Sequence, residues 1–236
     1  MMDVPAFLTL TPLELEAIRL SLKISSWAVV GSLPLGIAVA WVLARCDFYG
    51  KTLFDGLIHL PLILPPVVVG YLLLVLLGRR GPVGGWLFDV FGITVAFTWK
   101  GAAIASAVMA FPLMVRAIRL SVEAVDRRLE QTARTLGAGR LRVFATVTLP
   151  LSLPGVVAGT VLAFARCLGE FGATITFVSN IPGETRTLPL ALYSLVQTPD
   201  GDAAALRIVA ISVVLALIAL VFSEILARRV AARTRE

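Results

Sequence analysis

Five stretches of this chain are apolar for long enough to cross a lipid bilayer, and no other feature of the sequence constrains the fold as tightly. They run approximately over residues 18–43, 57–77, 93–115, 149–173 and 208–226. At 1.5 Å per residue, about 20 apolar residues cover the roughly 30 Å of a hydrocarbon core. Lipid offers no water to exposed amides and carbonyls, so a spanning segment must satisfy them internally, as a helix does. The fold class that follows is an all-α integral membrane protein, a polytopic helical bundle forming a single transmembrane domain over residues 1–236. It has five clear spans plus a possible short sixth helix at Leu188–Val196, which is too short to cross. The composition agrees, with 58% hydrophobic and only 15% charged residues, where soluble domains carry about 25% charged.

The beginning of the chain bears a superficial likeness to a secretory signal, with Arg19 and Lys23 ahead of an apolar run ending Ala38-Val39-Ala40. That run extends from Ile18 to Leu43, well beyond a signal core of about 7–15 residues. It is expected to be an uncleaved first span. Orientation follows from Lys and Arg, which collect on the cytoplasmic side. If the segment 122–148 is cytoplasmic, that side holds Arg45, Lys51, Arg116, Arg119, Arg127, Arg128, Arg134, Arg140, Arg142, Arg228, Arg229, Arg233 and Arg235. The other side holds only Arg79, Arg80, Lys100, Arg186 and Arg207. The expectation is an N-terminus outside and a cytoplasmic C-terminus. The net charge of +6 is then a matter of topology and does not mark a nucleic-acid binder.

Several chemistries are excluded by what the chain lacks. Cys46 and Cys167 form no metal-binding or redox spacing, and the single His59 rules out paired-histidine metal sites. Gly50-Lys51-Thr52 ends like a phosphate-binding loop, but Arg45 stands where the first glycine belongs and no strand precedes it. "GAGRLR" at 137–142 lacks the third glycine of a dinucleotide fingerprint. No nucleophile elbow and no internal repeat is seen. The chain is expected not to be an enzyme and to bind no cofactor or metal.

Against this apolar background, residues 122–148 are built for water. Apolar side chains at Val122, Val125, Leu129, Ala133 and Leu136 make the stripe of an amphipathic helix, with Glu123, Asp126, Arg127, Glu130 and Arg134 opposite. Gly137 and Gly139 are expected to end it, a second short helix to follow over Leu141–Val147, and Pro150 to open the next span. Physics alone leaves two readings, a helix lying on the inner leaflet or a docking element for a cytoplasmic partner. Prolines and glycines within the spans, such as Pro34, Pro65, Pro66, Gly70, Gly155 and Gly159, fit close helix packing or a water-lined path.

The stretch 129–150 resembles the EAA loop of ABC-importer permeases, which reads EAA, three residues, Gly, nine residues, Ile, one residue, Leu-Pro. Here Gln131, Thr132 and Ala133 occupy the EAA places, Gly137 the glycine, Val147 the isoleucine, and Leu149 and Pro150 the Leu-Pro. Gln131 replaces Glu, Thr132 replaces Ala, and Glu130 stands one place early. "HLPLILPPVVVGYLLL" (59–74), "FPLMVRAIRL" (111–120) and "CLGEFGATITFVSNIPGETRTLP" (167–189) extend the likeness over nearly the whole chain. Within these permeases it is most similar to those of molybdate importers, which are related to sulfate and thiosulfate permeases.

The resemblance implies the type I ABC importer permease fold and a bacterial inner-membrane location. It implies a second copy of the chain, cytoplasmic ABC ATPase subunits carrying ATP and Mg, and a periplasmic oxyanion-binding protein, with membrane lipid as surroundings and no nucleic acid. The coupling residues it implies are Glu130, Gln131, Thr132, Ala133, Gly137, Ala138, Gly139, Leu149 and Pro150. Sulfate, thiosulfate and tungstate are alternative cargoes, and an ATP-independent carrier or channel is an alternative class.

Arg166 and Glu170 stand one helical turn apart near the end of the fourth span. A charge at mid-bilayer costs about 3 kcal/mol by insertion scales, so each needs a partner or water. Either they satisfy one another, or Arg166, Glu170, Phe171 and Thr174 flank a gate near the outer mouth. Asp89, Glu184, Asp200 and Asp202 nearly balance the outer cations, which argues against a tight anion trap there.

Overall fold

The computed structural model describes residues 10–199 and 201–233, without the side chains of 220, 222–224 and 226–233. Asp200 and Arg235, counted above among the loop charges, lie outside the described residues, as do the side chains of Arg228, Arg229 and Arg233. Among the described residues the regular structure is helical throughout.

Helix α1 (Pro12–Arg45) is started by a capping box: Thr11 accepts from the Glu14 amide, and the Glu14 carboxylate accepts from the Thr11 amide. The second expected span is two helices, α2 (Lys51–Ile63) and α3 (Pro66–Leu77), bent by 112°. The physical reason is Pro65-Pro66, where two consecutive residues donate no amide and the residue before a proline is driven to extended backbone; Leu64 has ψ 143°. A short helix α4 (Pro82–Phe91) ends on Gly92 at φ 66°. Helix α5 (Trp99–Ala124) begins at Trp99 rather than at Ile93, because Thr98 caps it by accepting from the Gly101 amide.

Helices α6 (Arg127–Thr135) and α7 (Arg140–Val143) form the polar loop. A π-turn over Phe144–Thr148 leads into α8 (Leu149–Leu168). Helices α9 (Gly172–Val178), α10 (Leu188–Val196) and α11 (Asp202–Arg233) complete the order. Among the described residues, four helices are long and apolar enough to cross a membrane, or five if the bent α2–α3 pair is one span.

Helix α5 is the axis of the bundle, packed between α1 and α8. Its buried face carries Ala102, Ala105, Met114, Val115 and Ile118, all inaccessible. Close approach depends on small residues across the α5–α8 contact. A Cβ on Gly155 would collide with Ser121, and one on Gly159 would lie 3.0 Å from the Met114 carbonyl and 3.1 Å from Ile118. A Cβ on Gly70 would lie 2.5 Å from the Ala173 carbonyl, where α3 meets α9. These glycines are packing residues. Gly155→Leu is therefore expected to separate α5 from α8 and to lower the amount of folded chain in the membrane severely, measured as detergent-stable monomer by size exclusion. Normal yield would show that the two helices have room to spare.

A second, smaller core joins α1, α10 and α11 around Ala17, Leu188, Ala191 and Ile208. It is fastened by polar contacts: Arg207 Nε lies 2.9 Å from Glu14 Oε1, and the Leu188 amide donates to Ser21 Oγ at 2.8 Å. The outward faces of α3 and α11, including Val67, Tyr71, Leu72, Val213, Val214 and Leu217, are exposed and apolar, as suits side chains solvated by lipid.

Candidate functional site

The continuous amphipathic helix expected over Val122–Leu136 is two helices. Val125 and Asp126 are extended, and the Asp126 carboxylate accepts from the Arg128 amide at 2.9 Å, starting α6 as its N-cap. The break splits the apolar stripe. Val122 and Val125 are buried, whereas Leu129 is 49% and Leu136 is 83% exposed. Helix α6 has instead turned Glu130 inward, to 7% exposure.

Glu130 is held from two sides. Its Oε1 accepts from Arg45 Nε at 3.1 Å and from Thr148 Oγ1 at 2.7 Å, and Arg45 Nη2 donates to the Val125 carbonyl at 2.9 Å. One carboxylate thereby ties α6 to the end of α1 and to the head of the fourth span. The two charges compensate each other, as buried ions must. Gln131 and Thr132 are exposed and Ala133 is half-buried.

Gly137 ends α6 at φ 85°, a conformation open to residues without a Cβ. Its amide donates to Arg134 and the Ala138 amide to Ala133, the paired bonds of a Schellman cap. Gly139 is extended and starts α7. The separate short helix expected at Leu141–Val147 is the head of the fourth span, because helix continues from Arg140 to Leu168. Pro150 therefore sits within a helix rather than at its opening. The π-turn accommodates it: the Leu149 amide reaches back to the Phe144 carbonyl, widening the ladder just where the proline ring would crowd the preceding turn.

At the other end of α8, Arg166 Nη1 lies 2.7 Å from Glu170 Oε2, and the Glu170 side chain is 1% exposed. The expectation that both lie on one helical face of the fourth span is corrected, since α8 ends at Leu168 and Glu170 stands in the turn before α9. Glu170 Oε1 accepts from the Ala173 amide at 2.8 Å, satisfying the first turn of α9. Thr174 is buried and its hydroxyl donates to the Phe171 carbonyl at 2.8 Å. Phe171 packs on Tyr193 of α10, ring centroids 5.1 Å apart.

The two groups of expected site residues thus lie at opposite ends of α8, about 27 Å apart for 18 residues of helix. Sequence reasoning missed Thr148 and Tyr193 and took Arg45 only as an orientation charge. Arg45 and Glu130 are separated by 85 positions, so no local spacing could show the pair.

Residues 32–232 match the family described as binding-protein-dependent transport system inner membrane component. The chain is 67% identical over 219 residues to the molybdenum transport system permease protein ModB of Escherichia coli K12, covering 93% of this chain and 96% of that one. It is 60% identical over 217 residues to the ModB of Haemophilus influenzae, covering 92% and 95%. A bacterial ABC transporter involved in the import of the acidic polysaccharide alginate has a similar fold, with a TM-score of 0.76 at 20% identity, covering 97% of this chain and 84% of that one.

Proposed function

The chain belongs to the binding-protein-dependent transport system inner membrane components, and from that premise we propose that it is the permease subunit of an ATP-driven molybdate importer. The observation that carries the cargo is the 67% identity, along nearly the full chain, to a molybdenum permease. The ATPase is a separate cytoplasmic subunit that binds ATP and Mg, and this chain carries no cofactor. A periplasmic oxyanion-binding protein delivers cargo, and two copies of the chain enclose the path. The N-terminus lies outside and the C-terminus in the cytoplasm, so the α6–α7 loop faces the ATPase.

The loop supports a lever mechanism. Exposed Gln131, Thr132, Leu136 and Leu141 are free to meet a partner, while Glu130 locks the same helix to α1 and α8. Displacement of α6 by the ATPase is transmitted to two spans at once, biasing a bundle with two arrangements. At the far end, Arg166, Glu170, Phe171 and Thr174 form the gate. Movement of α8 would be felt there because Glu170 satisfies the first turn of α9 and pairs with Arg166 across the break.

Reconstitution of the chain with its ATPase and binding protein in liposomes tests the function. Uptake of labelled molybdate should require ATP and be displaced only weakly by sulfate. Uptake without ATP would indicate a carrier, and equal displacement by sulfate would broaden the cargo. Gly137→Asp should lower molybdate imported per ATP hydrolysed several-fold, and Gly137→Val more. The left-handed conformation costs most non-glycine residues about 1–2 kcal/mol, with Asp tolerated better and β-branched residues worse. Unchanged coupling in the valine variant would remove Gly137 from the lever.

A further inference from the structure

The structure assigns to this chain a binding site for a tetrahedral oxyanion of the phosphate class, in a cavity between the end of α1 and the α6–α7 loop. The cavity is about 160 Å³ and is walled by Trp41, Arg45, Arg127, Glu130, Arg134 and Arg140, roomy enough for a phosphate group of five heavy atoms. Four arginines and a single carboxylate thus line one space. That carboxylate is already committed, since Glu130 pairs with Arg45 and accepts from Thr148. Arg127, Arg134 and Arg140 have no ion-pair partner among the described residues. Asp47 is near enough to Arg127 to feel its charge, but it is bound to Lys51 at 3.0 Å, whose hydrogen bond holds the Asp47 carboxyl below its ordinary range.

Arg127 and Arg134 are two helical turns apart on one side of α6, and the Gly137 turn brings Arg140 back to the same cavity. Three uncompensated cations around one space repel each other, and a multivalent anion relieves that repulsion. Guanidinium groups match phosphate oxygens two at a time, which selects a tetrahedral oxyanion over a halide. Trp41 stacks edge-on against Phe144 at 5.8 Å on the apolar wall. Tryptophan is enriched in the headgroup layer, and the cytoplasmic leaflet is rich in anionic lipid. The oxyanion therefore comes from an anionic phospholipid headgroup or from free phosphate. Bound there, it bridges α6 to α7 and braces the lever beside the Glu130–Arg45 pair.

The test uses the full chain purified in detergent, with native mass spectrometry and calorimetry. Dihexanoyl phosphatidylglycerol, inorganic phosphate and dihexanoyl phosphatidylcholine serve as probes. The site predicts binding of phosphatidylglycerol, phosphate or both, with affinity at least about tenfold lower in the Arg134→Gln/Arg140→Gln double variant. Both arginines are exposed, so the fold should persist, which the unfolding temperature checks. Phosphatidylglycerol alone identifies the lipid as the source, phosphate alone the solute, and mutual competition a site open to both. Equal binding of phosphatidylcholine, or undiminished binding by the double variant, overturns the proposal. So does the absence of all anion binding while the same variant weakens capture of the ATPase subunit, because the arginines would then be a socket for the partner's acidic side chains.

Discussion

Glu130→Ala is expected to abolish molybdate uptake, whereas Gln131→Ala, at the place where the permease motif usually has its glutamate, should leave most of it. Removing the Glu130 carboxylate strands the Arg45 guanidinium, whose side chain is 8% exposed, and leaves the Thr148 hydroxyl without its acceptor. Breaking a buried pair by deleting one partner costs about 3–5 kcal/mol. That cost falls on the joint between α6 and the spans, so even if the chain stays folded, displacement of α6 is no longer passed on. Uptake should fall about 100-fold or more, at roughly 1.4 kcal/mol per tenfold, while ATP hydrolysis by the assembled complex continues. Gln131 is exposed, and its loss should change stability by no more than about 0.5 kcal/mol. Equal losses in both variants would mean that Glu130 contributes nothing beyond docking. Arg45→Leu combined with Glu130→Leu separates stability from coupling, since an apolar pair restores the former without the polar joint.

Arg166→Leu is expected to have a comparable effect at the opposite end of α8. Among the described residues, Glu170 would keep only the Ala173 amide as a donor, with its side chain 1% exposed. Because Arg166 is 28% exposed, water screens part of the pair, and the loss should lie near the lower end, about 3 kcal/mol. Uptake should be lost while the ATPase still co-purifies with the chain. Arg166→Leu/Glu170→Leu decides what the pair does. If the double variant regains stability but not transport, the charges belong to the gate. Recovery of transport would make them a structural pair whose task is to close the turn between α8 and α9.

The class of fold was legible because lipid leaves a chain so few choices. A run of apolar residues such as Ile208–Leu226 must be helical wherever it crosses, and no tertiary partner alters that. The polar loop was legible for a different reason. Gly137 and Gly139 act on the backbone beside them, one through a left-handed turn and the other at the start of α7, so their effects can be read locally. The interruption at Val125 was the exception. Periodicity favoured one helix through it, and the Asp126 cap together with the inward rotation of Glu130 overrode the stripe. The double proline at 65–66 was visible as a breaker, but a breaker does not state an angle, and the 112° between α2 and α3 depends on α9 filling the corner beside Gly70.

By itself, then, the order of residues determined the helical membrane fold and the position of the polar loop, because both follow from interactions within a few turns of chain. It also carried the family likeness. Only the tertiary structure decided which of two adjacent polar residues anchors the loop, since Glu130 finds its partner on a helix 85 positions away and a one-residue rotation of α6 settles which side chain points inward. It likewise brought Arg127, Arg134 and Arg140 around a single cavity with Trp41 as its wall. Charges that count only toward orientation along the chain become a site when folding confines them to one space.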